Sequence, residues 1–286
     1  MQVIVLSDHT GDMVQQLGGQ RAARDRADAA AHALALSRRQ ERKDALDREI
    51  RQALTRFRPL ALLAALGGRL GMALKSPPPP PAAAAVNDQE QIWTSGHNGE
   101  LLVRHRLAAQ LDDDWTLLTG YENRQGEIDQ ILIGSNGVFA IEIKYVNGII
   151  HAEGDRWWLD KFDQYGNLVA QGRVIADGRR RGPSLQLNEA ADLLEKFLVG
   201  RVAIDRIYRA VIFSHPSAAI ARIERPTVDF ISAGDNLQAA SLLACAGPVG
   251  IDAANASRIV ALVKRDHDFH AAHKRKPKAR SSSNQS

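Results

Sequence analysis

From about Gln20 to Arg58 the chain contains no proline and is rich in Ala, Arg, Asp, Glu and Leu, and Leu46, Ile50, Ala53 and Phe57 fall at alternating spacings of four and three. This pattern predicts a long helix with a coiled-coil-like seam, ended or kinked at Pro59. Upstream of Leu46 the seam is mostly alanine. Arg42, Lys43, Asp47, Arg48 and Glu49 suit an exposed face, so an arm for homo-oligomerisation or a protein partner is expected; a basic nucleic-acid-binding helix is the alternative. Leu60 to Leu74 is the most apolar stretch. It contains Arg69 and falls short of the roughly 20 residues that cross a bilayer, which predicts a buried or interfacial helix without membrane insertion.

The pattern changes after Pro77 to Pro81, a proline run followed by four alanines and Val86, whose composition favours an extended spacer. The expected organisation is a helical region over 1–76, a Pro/Ala-rich linker over 77–90, a folded domain over 91–264 and a basic disordered tail over 265–286. Gly96 to Leu111 reads as a helix, with Leu101, Leu102, Leu107 and Leu111 near one face and Asn98 as N-cap. Ile128 to Ile133 and Val138 to Lys144 are strands around the turn residues Gly134 to Gly137. Gly148 to Ala152 and Arg156 to Asp160 form a second strand pair. Leu185 to Val199 is an amphipathic helix, Arg206 to Phe213 a buried strand, Thr227 to Ser232 a further strand, and Asn236 to Ala246 and Ala253 to Lys264 are helices. This order predicts an α/β fold.

If Gly134 to Gly137 form the loop, facing residues in the hairpin have numbers summing to 271, and Asp129 stands opposite Glu142. Two like charges so placed destabilise a sheet unless something neutralises them, and a divalent cation would do so. Period-two alternation puts Lys144 on the Glu142 face and turns Ile141, Ile143 and Phe139 to the other. Carboxylate oxygens suit Mg²⁺ or Mn²⁺, and a lysine beside them can orient water or offset developing negative charge, so the set suffices for phosphodiester hydrolysis. A cross-strand salt bridge between Lys144 and Glu127, its partner in this register, is the competing explanation.

Charge and cysteine content narrow the picture only slightly. The 37 Lys and Arg against 33 Asp and Glu leave a formal +4, a mild bias toward polyanions. Cys245, the single cysteine, excludes an intramolecular disulfide and a cysteine-rich zinc site; a reducing, cytoplasmic location is expected. The N-terminus has no signal-peptide pattern.

Asp129, then twelve residues, then Glu142-Ile143-Lys144 resembles the Asp…(Asp/Glu)-x-Lys signature of restriction-endonuclease-like nucleases. Around it stand Gly96-x-x-Gly99-Glu100, the run from Gly126 to Ile150, Trp157, and Gly182 to Ala190, and this combination resembles the nuclease-related domain, NERD, over roughly Thr94 to Phe213. The resemblance implies a restriction-endonuclease-like core, a central mixed sheet flanked by helices. It implies that Asp129 and Glu142 ligate the metal, that Lys144 assists the attacking water, that Glu100 is a further carboxylate near the metal, and that Gln186 reaches toward the site. Stabilisation of a first-turn acid by the helix dipole is the alternative for Glu100, and helix capping for Gln186. Ile128 stands where a proline often precedes the aspartate. No role transfers to residues 1–88 or from Ser214 onward.

His97, His105 and His151 match no standard metal-ligand spacing and are read as surface or packing residues. Arg173, Arg179, Arg180 and Arg181 could hold phosphates beside such a site, or form a solvated loop. Trp157 and Trp158 face opposite sides of a strand, one of them into the core. Ser214-His215 lacks a nucleophile elbow and an acid partner, so a serine hydrolase is excluded. Lys274 to Arg280 is a basic tail with non-specific attraction for nucleic acid. The reading that follows is a Mg²⁺- or Mn²⁺-dependent nuclease acting on DNA rather than RNA; the alternative is a non-catalytic nucleic-acid-binding or assembly module that retains the fold.

Overall fold

The computed structural model describes residues 1–163, 165–247 and 250–274. The chain divides into two compact units, one of Met1–Asp12 with Ile92–Ser286 and the other of Met13–Gln91.

The first unit is α/β, as the sequence predicts. Its larger sheet has the order β1-β2-β3-β4-β8-β10, formed by β1 (Gln2–Val5), β2 (Thr116–Glu122), β3 (Glu127–Gly134), β4 (Gly137–Lys144), β8 (Ile207–Phe213) and β10 (Phe230–Ala233). β3 runs antiparallel to both β2 and β4, while β1 joins β2, β8 joins β4 and β10 joins β8 in parallel. A second sheet, β7-β6-β5-β9, comprises β5 (Gly148–Glu153), β6 (Arg156–Phe162), β7 (Leu168–Val174) and β9 (Ala218–Glu224).

Alternation along the central strands sorts the core into two layers. Ile131, Ile133, Val138, Ala140 and Val211 pack with Leu187, Ala190 and Leu194 of α4 (Pro183–Leu198) and Ile259 and Val263 of α6 (Ala253–Lys274). The other face sets Leu132, Phe139, Ile141 and Ile143 against Val103 and Leu107 of α3 (Asp88–Ala108) and Leu242 of α5 (Ala239–Leu243). Helices therefore cover both faces of a mixed sheet. Trp157 is 1% exposed and donates from Nε1 to Ser184 Oγ at 2.8 Å; Trp158, facing away, stacks on His151.

Several boundaries differ from the sequence reading. Helix α3 begins at Asp88, not near Gly96, because Asn87 Oδ1 caps it by accepting from Glu90 N at 2.7 Å; Asn98 is an interior residue. The helix expected to end at Lys264 continues to Lys274, and its added turns are held by Tyr121, whose hydroxyl donates to Asp266, and by His267, whose Nδ1 accepts from Glu122 N at 3.1 Å. Residues 265–274 are thus helical, and the remainder of the predicted tail lies outside the described residues. Residues 2–5 form a strand, not part of a helical arm.

The second unit is built on an αα-hairpin of α1 (His9–Thr55) and α2 (Pro59–Leu74). The seam read from sequence finds its partner here, within the chain: Ala53 and Ala65 are buried, and Gly68 brings α2 so close to Leu46 that a Cβ on it would lie 3.1 Å from Cδ2. Phe57 departs from the expected seam, standing outside the helix at the hairpin tip with φ 49° and 93% exposure. Arg39 donates to the carbonyls of Met72, Lys75 and Ser76, satisfying the C-terminal end of α2. The proline spacer forms no regular element and runs back along α1, with Pro78 O accepting from His32 and Ala84 N donating to Asp25. Of the two expectations for the apolar helix α2, buried or interfacial, the buried one is not met, since Leu60, Leu63, Leu70 and Leu74 are each more than half exposed.

Candidate active site

Hairpin β3–β4 pairs Gly134 with Gly137, Ile133 with Val138, and so on to Gln130 with Ile141, each pair summing to 271. The turn is tighter than the predicted four-residue loop, because Gly134 and Gly137 themselves pair. That register points Asp129 at Glu142, but the ladder stops one step before them. Asp129 Oδ2 instead accepts from the backbone N of Ile143 at 2.6 Å, so its side chain takes over a ladder hydrogen bond.

Glu142 and Lys144 share the α4 side of β4 with Val138 and Ala140. Glu142 is 3% exposed, and its Oε1 meets Lys144 Nζ at 2.5 Å. Lys144 is thus paired with Glu142 within its own strand. It also donates to Gln186 Oε1 at 3.2 Å, while Gln186 Nε2 donates to Arg181 O at 2.8 Å. Gln186 sits in the first turn of α4, close to Pro183, and reaches the lysine as expected.

Glu100 enters from α3. With the helix starting at Asp88 it lies in the fourth turn, too deep for the stabilisation by the N-terminal dipole that the sequence reading weighed. Its backbone carbonyl accepts from Gln130 Nε2 at 2.9 Å, and its Oε2 accepts from Thr10 at 3.4 Å. Gly99 permits the approach: a Cβ there would fall 2.7 Å from Ser214 Oγ and 3.0 Å from Tyr145 Cβ. Asp8 and Thr10 were missed by the sequence reading, and His97 reads from sequence as a surface or packing residue. Thr10 Oγ1 and Asp8 Oδ1 stand 3.3 and 3.5 Å from His97 Nδ1, beside a cavity of about 210 Å³ that Glu100 and Gln130 also line. The β-branched run Val3-Ile4-Val5 was the one available signal that this segment joins the sheet.

The electrostatics follow from crowding. Burial, then Glu142, Glu100 and Glu127, push the Asp129 carboxyl well above the usual range despite Lys144. Burial and Glu127 push Glu100 up to about 7, against the hydrogen bond from Thr10. Burial pulls the Lys144 ammonium down, but Glu142 and Asp129 outweigh it and hold its pKa above the usual lysine range. Among the described residues no three His, Cys, Asp or Glu side chains stand ready-gathered as metal ligands. The donor set nevertheless suits a hard divalent cation: oxygen donors on Asp129, Glu142 and Glu100 repel one another, with Asp129 Oδ2 and Glu142 Oε1 already facing protein donors.

The expected arginine cluster is divided. Arg181 is committed to Asp177 at 2.8 Å and Glu189 at 2.6 Å, whereas Arg173, Arg179 and Arg180 are exposed. Asp177 accepts from the backbone N of both Arg179 and Arg181, which folds this loop over the start of α4.

No curated protein and no solved structure matches the chain. No helix among the described residues is long and apolar enough to cross a membrane. Residues 95–214, which supply Glu100, Asp129, Glu142, Lys144 and Gln186, match the family model of the nuclease-related domain, NERD, and the PD-(D/E)xK superfamily assignment is consistent with this match.

Proposed function

We propose that the protein is a nuclease that uses Mg²⁺ or Mn²⁺ to hydrolyse phosphodiester bonds, with nucleic acid as its partner and DNA as the preferred substrate. The observation that carries this reading is a charged lysine, Lys144, held between Glu142 and Gln186 where Asp129 ends the hairpin ladder. Asp129 and Glu142 would hold the cation, with Glu100 as a third carboxylate. Bound there, a divalent cation supplies Lewis-acid polarisation of a phosphoryl oxygen and a lowered pKa for water. Lys144 orients the attacking water and offsets negative charge that develops on the phosphoryl oxygens. Gln186 fixes the lysine from α4. The exposed side chains of Arg173, Arg179 and Arg180 would meet phosphates, whereas Arg181 holds the loop through Asp177 and Glu189.

The test is incubation of the purified protein with linear duplex, circular duplex and single-stranded DNA and with RNA, in Mg²⁺, Mn²⁺ or EDTA. Metal-dependent cleavage that disappears in both Asp129→Asn and Lys144→Ala supports the reading. Cleavage that survives both changes refutes the site, and nucleic-acid binding without cleavage under every condition leaves a non-catalytic module.

A further inference from the structure

We propose that the α1–α2 hairpin docks peripherally on an anionic lipid bilayer, an inference independent of the nuclease reading. At 100° per residue, Leu60, Leu63, Leu66, Leu70 and Leu74 fall within about 120° of arc on α2. All five are exposed, from 46% at Leu66 to 83% at Leu60. The opposite side of the helix, with Ala65 and Gly68, is the side packed on α1. The leucine sector is therefore not the back of an internal helix contact. It ends at a tip where Phe57, 93% exposed, is flanked by Arg56 and Arg58 and followed by Pro59 and Leu60.

Charge selects among the surfaces that could cover this face. Residues 56–75 contain Arg56, Arg58, Arg69 and Lys75 and no acid; over 38–75 there are ten Lys or Arg against four Asp or Glu. Arg69 is paired with Asp47, but Arg38, Arg42 and Lys75 line a cleft with Gly68, Gly71 and Met72 beside the helix. A second copy of the hairpin would bury the leucines but bring these cations against their own kind in either helix orientation, Arg58 on Lys75 or each on itself. A nucleic-acid backbone would meet the cations and leave the leucines in water. An anionic bilayer meets both: acyl chains take the leucines and Phe57, and headgroup phosphates take the cations. The 16 residues of α2 suit a helix lying in the interface rather than one crossing it.

The full chain is sedimented with vesicles of phosphatidylglycerol and phosphatidylcholine, or of phosphatidylcholine alone, with light scattering of the lipid-free protein in parallel. Expected is partition to the phosphatidylglycerol vesicles that falls with salt, with little to the neutral ones. Leu60→Ser with Leu63→Ser and Leu70→Ser lowers it by more than roughly tenfold. Arg56→Glu with Arg58→Glu lowers it by at least about thirtyfold at low ionic strength. The three substituted leucines are already in water, and circular dichroism checks that both variants keep their helices. No partition, or equal partition to neutral vesicles, overturns the proposal. So does a doubled mass without lipid that the leucine variant abolishes, which would make the face a self-association surface.

Discussion

Lys144 Nζ lies 2.5 Å from Oε1 of Glu142, two positions earlier on the same strand. Each charge is tolerable at the end of β4 because of the other, since Glu142 is almost fully buried. Removing the cation therefore has two separable effects. Lys144→Ala should lower cleavage by about 100-fold or more through lost charge stabilisation. It should also destabilise the metal-free protein by about 1–3 kcal/mol, because a buried carboxylate loses its partner. Glu142→Gln combined with Lys144→Ala should recover most of the stability and none of the activity, measured by urea unfolding beside a cleavage assay.

Asp129 shows the opposite sign. Its folded-state pKa lies well above the usual 3.8, and that of Glu100 rises from 4.5 to about 7, so the native state binds protons more tightly than the unfolded chain. The stability they contribute is complete below about pH 4 and is lost as pH rises through the folded-state values, to about pH 7 and beyond. Asp129→Asn removes the repulsion and retains an oxygen to accept from Ile143 N. It should therefore raise the melting temperature of the metal-free protein at pH 8, with the gain shrinking toward pH 4. Mg²⁺ should raise the wild-type melting temperature and leave that of the variant nearly unchanged; a variant less stable than wild type at pH 8 would contradict this account.

The hairpin register was legible from the glycine-bounded turn, whereas burial on both faces of β3 and β4 leaves no alternation to fix it. The start of α3 was not, since residues 88–95 carry a mixed polar sequence and the decisive cap is Asn87, whereas Asn98 offered the same chemistry inside the helix. Strands β7 and β9 are mostly exposed and lack clean alternation, so no burial pattern announces them. Strand β1 pairs Gln2 with Thr116, a relation between distant segments that neither encodes locally. The candidate site's residues in β3, β4 and the first turn of α4 were legible as a group, since they lie on neighbouring elements. Its Thr10, Asp8 and His97 surroundings depend on that distant pairing.

The glycines of the Gly96-x-x-Gly99 motif should behave differently. A Cβ at Gly96 meets nothing within 4 Å, whereas one at Gly99 enters the contact of α3 with Ser214 and Tyr145. Gly96→Ala should stabilise by up to about 1 kcal/mol through helix propensity. Gly99→Ala should destabilise by about 1–3 kcal/mol through overpacking and lower activity by displacing Glu100. Thermal unfolding of the two variants checks the contrast.

The arginines beside α4 should also separate. Arg181→Ala breaks the pairs to Asp177 and Glu189 and frees the loop whose carbonyl holds Gln186, so it should cost about 1–2 kcal/mol and reduce activity. Arg179→Ala with Arg180→Ala should leave stability within about 0.5 kcal/mol. If these two side chains meet phosphates, the double variant should bind DNA more weakly, with the slope of log affinity against log salt reduced by about 2. An unchanged slope would remove them from the interface.

The N-terminal segment lies outside the family match yet is built into the same unit. Gln2 to Val5 pair with Thr116 to Thr119, the N-terminal amine meets Asp113 at 2.9 Å, and Ser7 Oγ donates to Gly120 O at 2.8 Å. Gly120 has φ 69°, and a Cβ there would lie 2.1 Å from Ser7 O, so the segment occupies space that only glycine leaves. Thr10 then delivers its hydroxyl to Glu100. Deleting residues 1–8 should uncover the edge of β2, lower the melting temperature and reduce cleavage although every site carboxylate remains. Thr10→Val should keep the melting temperature near wild type, because the loss is one long hydrogen bond, and should shift the acidic limb of the pH–activity profile upward, since that bond lowers the Glu100 pKa. A profile identical to wild type would show that Glu100 is not among the groups that set the rate.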